Sequence, residues 1–176
     1  FLTTSNRIGV IMAGAFNAKG DMNFLKQKFT KNVQAGEKMM GTEFEMKIEE
    51  YPNVTVLVRS TQFPAMGRAD VEDFGQMGLG YIQNGALENK GEIAVTCVET
   101  ITGTVLDMLR EIVREKKMVT VVIESTPEST KGKGAKSHRF RLEHVKVRSD
   151  VIDLSTEDTA ALVKPAITLQ YNWVDF

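Results

Sequence analysis

The sequence predicts a mainly β fold: an antiparallel β-sandwich or split barrel closed by one amphipathic α-helix, with extended arms. Three observations predict it. Apolar and polar residues alternate strictly over 42–49 and again from Ile167 to Trp173, the period of a strand with one buried face. Met118 to Ser125 reads as a further strand, and its first six residues are apolar on both faces apart from Thr120, as a central strand requires. Residues 104–117 carry one sustained helical period, and the connections between strands suit antiparallel neighbours.

Residues 1–41 show no sustained period. Gly9, Gly14, Gly20, Gly36 and Gly41 interrupt them, Asn23 to Val33 allows only a short helix, and Ile8, Val10, Ile11, Met12, Phe16, Phe24 and Phe29 fall in small clusters. This region reads as an N-terminal arm of loop character, set before a β domain at 42–176. Phe1-Leu2-Thr3-Thr4 lacks a basic region followed by an apolar one, so no secretion signal is expected there.

The β domain opens with Phe44, Met46 and Ile48 on one face and Glu43, Glu45, Lys47 and Glu49 on the other. Pro52-Asn53 supplies a turn, and Val54, Val56 and Val58 alternate in a second strand to Ser60, so the two strands read as a hairpin. The strand ends at Phe63-Pro64, since proline cannot donate to a ladder. The stretch from 64 to 91 then holds Gly67, Gly75, Gly78, Gly80, Gly85 and Gly91 among large apolar residues. Connections this long in a compact domain are functional or disordered, and disordered segments are poor in such residues. The stretch therefore reads as a long hairpin or arm that needs another surface. Phe63, Pro64, Met66, Phe74, Met77, Leu79, Tyr81 and Ile82 are the candidate oligomer contacts.

Glu92 to Thr100 is a third strand with Ile93, Val95 and Cys97 on one face. Thr104-x-x-Asp107 resembles a capping box opening the helix, whose Val105, Met108, Leu109 and Ile112 fall on one stripe. After the strand at 118–125, Thr126 to Ser137 is a polar loop. His138 to Arg148 is a fifth strand whose parity slips between Leu142 and Val145, which predicts a bulge. Ser155-Thr156-Glu157-Asp158 allows at most a short turn. The last strand alternates Ile167, Leu169, Tyr171 and Trp173 with Thr168, Gln170, Asn172 and Val174.

A chain of 176 residues with 42% hydrophobic and 26% charged content can bury a substantial core. Its net charge of −1 gives no global pull towards nucleic acid or membranes, and no apolar run is long enough to span a bilayer. Charge is uneven, however: Lys131 to Arg148 holds seven Lys/Arg against Glu143, while Asp150, Asp153, Glu157 and Asp158 follow directly. With one aromatic, Phe140, the basic run suits a solvated rim or a protein contact better than a nucleic-acid site. The single Cys97 excludes an internal disulfide and a cysteine cage, and His138 and His144 are too few for a metal site. Lys131-Gly132-Lys133-Gly134 lacks the spacing of a phosphate loop. No nucleophile with its base is visible, so neither an enzyme nor a cofactor is expected.

The order of parts resembles the tail tube proteins of contractile-tailed bacteriophages over residues 42–176. The similarity rests on the acidic alternating strand, the strand ending in Phe63-Pro64, the glycine-bearing hairpin, and the strand leading into one helix. The Ser155–Asp158 stretch and the closing Pro165-Ala166-Ile167-Thr168-Leu169-Gln170-Tyr171 strand complete it. The resemblance implies a virion structural subunit without catalysis, assembled in the host cytoplasm. It forms hexameric rings that stack into a hollow tube inside a sheath, with baseplate and tail terminator proteins as further partners. Genomic DNA passes through the lumen without specific binding. A wall that must let DNA slide cannot bind its phosphates, so Glu43, Glu45, Lys47 and Glu49 are the candidate lumen-facing residues. The alternatives are a type VI secretion or bacteriocin-like tube subunit, and a monomeric β-sandwich module whose 64–91 loop holds a ligand.

Overall fold

The computed structural model describes residues 20–176, so the expected clusters at Ile8–Phe16 and the start Phe1–Thr4 lie outside the described residues. The chain divides after Met39 into two compact units. In the first, helix α1 spans Met22–Gln34, slightly longer than the short helix expected. Asp21 caps it, its Oδ1 accepting the N–H groups of Asn23 (3.0 Å) and Phe24 (3.1 Å).

The second unit is built on one antiparallel sheet. Its strands are β1 (Phe44–Ile48), β2 (Val58–Ser60), β5 (Gly91–Cys97), β6 (Val119–Ser125), β7 (Arg139–Ser149), β8 (Ala166–Tyr171) and β9 (Trp173–Asp175). They run in the order β1-β6-β7-β8-β5-β2, with β9 continuing β8 along β7. β3 (Arg68–Phe74) and β4 (Gly80–Leu87) form a separate hairpin, and helix α2 (Thr104–Glu115) follows β5. The sheet curls until β1 and β2 face each other across a cleft of about 290 Å³ lined by Phe44, Glu45, Met46, Thr55, Val58 and Arg59. This is the expected split barrel. Met46, Ile93, Val95, Val121, Ile123, Leu142, Leu169 and the α2 stripe fill its core.

α2 buries Val105, Met108, Leu109 and Ile112, as their spacing predicts. Its start differs from the expected capping box: Gly103 occupies the cap position and no side chain there bonds the helix. Glu99 does so instead from the end of β5, accepting from Val105 N (3.1 Å) and Leu106 N (2.8 Å). A carboxylate on two unpaired N–H groups also meets the positive end of the helix. Glu99→Ala should lower stability by about 1–2 kcal/mol, read as a melting temperature a few degrees below wild type.

β6 lies between β1 and β7, the central place expected. The predicted bulge is present as well. Val119 pairs with Val145 but Val121 with Leu142, so β7 carries one extra residue there, and His144 takes a left-handed φ of 55°.

Two expectations fail. Val54–Ser60 is not one strand: Pro52–Leu57 is a 3-10 helix and only Val58–Ser60 is extended. Its period of about three turns Val54 and Leu57 onto the core and leaves Val56 exposed. Consequently β1 and β2 are not a hairpin; β1 pairs with β6 and β2 with β5. The last strand also breaks its alternation. After Tyr171 the chain bends at Asn172, whose Nδ2 donates to His144 O (2.7 Å), so Trp173 turns outward and Val174 inward. Both strands switch faces together opposite the β7 bulge.

Candidate functional site

Two surfaces carry the residues singled out above. The first is the β3–β4 hairpin. Phe74 pairs with Gly80, Glu72 with Ile82 and Asp70 with Asn84. A register shift near Arg68 sets Gly85 against Ala69, where an added Cβ would stand 2.7 Å from Val71 Cγ2 and 2.9 Å from Ala69 O, so this site requires glycine. At the tip, Met77 holds φ 60° and Gly78 φ 74°. Left-handed backbone is costly for a methionine, and strained residues of this kind concentrate at functional positions. Met77 is 99% exposed and Phe74 71%, and Met66, Leu79, Tyr81 and Ile82 are exposed too.

The base of the hairpin is fixed to the barrel. Pro64 is buried, and the centre of the Phe63 ring lies 5.1 Å from that of Phe140. These two candidates thus anchor the arm, while the other six project from it. Glu88 N donates to Gly67 O (3.2 Å), and Asn89 Nδ2 to Asn172 O (2.9 Å).

The second surface is the outer face of β1, β6 and the first half of β7. Met46 and Ile48 turn into the core and Phe44 is half-buried, leaving Glu43, Glu45, Lys47 and Glu49 on the opposite face. Lys47 Nζ bridges Glu45 and Glu124, 3.2 Å from each. Arg141 bridges Glu49 (2.7 Å) and Glu143 (3.2 Å), and Arg139 lies 3.9 Å from Glu124. The Glu45 carboxylate, then Glu124, holds the Lys47 ammonium above its ordinary range. Val122, in register between Lys47 and Arg141, is buried beneath this charged layer. Five carboxylates (Glu43, Glu45, Glu49, Glu124, Glu143) face three cations (Lys47, Arg139, Arg141), a local balance of −2.

Reading 131–148 as one basic run missed half of this wall. The alternation Arg139-Phe140-Arg141-Leu142-Glu143 is the signal that separates wall residues from the loop lysines before them. Elsewhere, His138 Nδ1 lies 3.3 Å from Ser125 Oγ, but Ser125 is buried and no carboxylate among the described residues bonds the ring. Cys97 is buried, and that burial pushes its thiol up to about 11.

Similar barrels occur in solved structures. A chain of the sheath–tube complex of the PVC extracellular contractile injection system, in its extended state, matches with a TM-score of 0.58 and 14% identity. The match covers 83% of this chain and 95% of that one. A chain of the sheath/tube terminator of the same system matches at 0.61 and 12%, over 80% and 96%. A chain of the six-fold symmetrised baseplate of the anti-feeding prophage matches at 0.55 and 11%, over 80% and 95%. The chain shares the fold of these chains. The match takes in nearly the whole of each neighbour and leaves about a fifth of this chain outside it. No family model and no curated protein matches the sequence.

Proposed function

We propose that this protein is a structural subunit of a contractile tail tube. Six copies form a ring, and rings stack into a hollow tube inside a sheath, bounded by a baseplate and a terminator. The observation that carries this reading is the apolar hairpin tip, projected from a firmly held base by a barrel with the tail-tube fold. Exposed apolar area on that scale marks an interaction surface. Closed rings of identical subunits also cover the open edges of β1 and β2, which otherwise invite uncontrolled pairing.

The tube belongs in the tail of a virion assembled in the host cytoplasm, and the charged wall lines the lumen. A net-negative wall whose cations are already paired neither captures phosphates nor releases counterions, so DNA slides through unbound. The role is mechanical rather than catalytic. A second reading is a type VI secretion or bacteriocin-like tube subunit; it is favoured by the fact that two of the neighbours named above belong to an extracellular contractile injection system. Both readings predict rings or filaments, whereas a ligand-binding module of this size elutes as a 19.6 kDa monomer. Gel filtration followed by negative-stain microscopy of the purified protein separates them, and a monomer at all concentrations would overturn the tube reading.

A further inference from the structure

We propose that helix α1 is a surface anchor. It lies in the interface of an anionic lipid bilayer, with its apolar side chains below the headgroups and its lysines on the headgroup phosphates. The inference concerns α1 alone and does not depend on the assembly reading above.

α1 buries none of its 13 residues. A helix of that length is marginal alone in water, so most of its stability must come from a surface that it meets. Met22, Phe24, Leu25, Phe29 and Val33 are each more than half exposed. At about 100° per residue, all five fall in one half of the helix, and Asn23, Gln27, Thr30 and Gln34 fall in the other. No described helix is long and apolar enough to cross a bilayer, so the contact is one of lying on the surface.

The charge of the helix has one sign. It carries Lys26, Lys28 and Lys31 and no carboxylate, which the net charge of −1 for the whole chain conceals. The Asp21 carboxylate before it is held by the N–H groups of Asn23 and Phe24. Among the described residues, none of the three lysines takes part in an ion pair. Lys26 Nζ lies 5.6 Å from the centre of the Phe29 ring, and Lys28 Nζ 5.3 Å from that of Phe24. Each of these rings thus has a cation beside it on a long apolar stem, able to stay at the water side while the ring goes deeper.

Two features favour lipid over a protein partner. All three cations are lysines, which protein interfaces deplete while enriching arginine. Lysines with Phe and Leu on the opposite side are instead the composition of helices that lie on bilayers. A uniformly anionic surface also matches a helix that offers only positive charge. A second copy of α1 does not, because it would set lysines against lysines.

Flotation of the intact protein with vesicles tests the anchor, because protein without lipid sinks whether or not it has assembled. Wild type should rise with vesicles of phosphatidylglycerol and phosphatidylcholine in equal parts, and stay below with phosphatidylcholine alone. Binding should fall as salt rises past about 0.1 M. Lys26→Gln/Lys28→Gln/Lys31→Gln keeps helix propensity but removes the charge, and should bind at least about tenfold more weakly. Leu25→Gln/Phe29→Gln should lose as much with every lysine in place. No α1 residue belongs to the buried core, so both variants should melt like wild type. Wild type that stays below with anionic vesicles, or floats equally well with phosphatidylcholine alone, would overturn the anchor. So would a lysine variant that floats as wild type does. Abnormal assembly of the variants, without flotation of wild type, would assign α1 to a protein neighbour and overturn the anchor as well.

Discussion

Replacing Phe74 to Ile82 with a short Gly/Ser linker should leave a folded subunit that no longer stacks into tubes. The replaced residues belong to the hairpin alone, whose strands pair only with each other, and none is in the buried core. Melting should therefore stay close to wild type. Assembly should not, because five large apolar side chains (Phe74, Met77, Leu79, Tyr81, Ile82) lose their place in the contact. Burying each contributes roughly 1.5–3 kcal/mol, against the ~8 kcal/mol net of a micromolar contact. Ordering and docking costs reduce that gross gain, so the remaining surface is left without the surplus that association requires. Microscopy and gel filtration beside a melting curve give the result. Tubes of normal length from this variant would show that the tip is not what joins the rings.

What was legible beforehand follows from which interactions are local. The α2 stripe, the central β6 and the bulge in β7 are each written in periodicity within a single element, and they stand where expected. Pairing is not local. Nothing in the spacing of Phe44, Met46 and Ile48 says that their strand seeks β6, far along the chain, rather than the valines that follow at once. Those valines look like a strand because β-branched residues favour one, yet burial of Val54 and Leu57 on a 3-10 turn prevails over propensity. The cap on α2 was missed for a similar reason: Glu99 lies outside the local motif and reaches the helix only because β5 ends beside it. The charged wall was half legible, since alternation marks its faces but only the register joins Lys47 to Glu124 and Glu49 to Arg141. The hairpin was readable from composition, although the strain at Met77 belongs to the tip's three-dimensional path.

Glu45→Cys should label poorly with a bulky thiol reagent in assembled tubes and well in separated subunits. Glu45 is partly exposed on the subunit, so a cysteine there is open to reagent whenever the tube is not. The substitution is mild: it removes one partly exposed ion pair with Lys47, worth at most about 1 kcal/mol, while Glu124 remains to hold the ammonium. The native thiol does not confuse the reading. Cys97 is buried, and burial, followed by the nearby Glu99 charge, raises it to about 11, leaving little thiolate at pH 8. Wild-type protein gives that background directly. The expected contrast depends on where the wall faces. If it lines the lumen, a reagent too wide for the bore reaches only the tube ends, so labelling per subunit falls as tubes lengthen. If it forms the outer surface, every subunit stays accessible and labelling is independent of length. A small reagent supplies the control, because it should enter the bore and label both states. Rapid labelling along intact tubes by the bulky reagent would place Glu45 outside, and with it Lys47, Glu124 and Arg139, to which ion pairs tie it, and the Glu49–Arg141 pair on the same face.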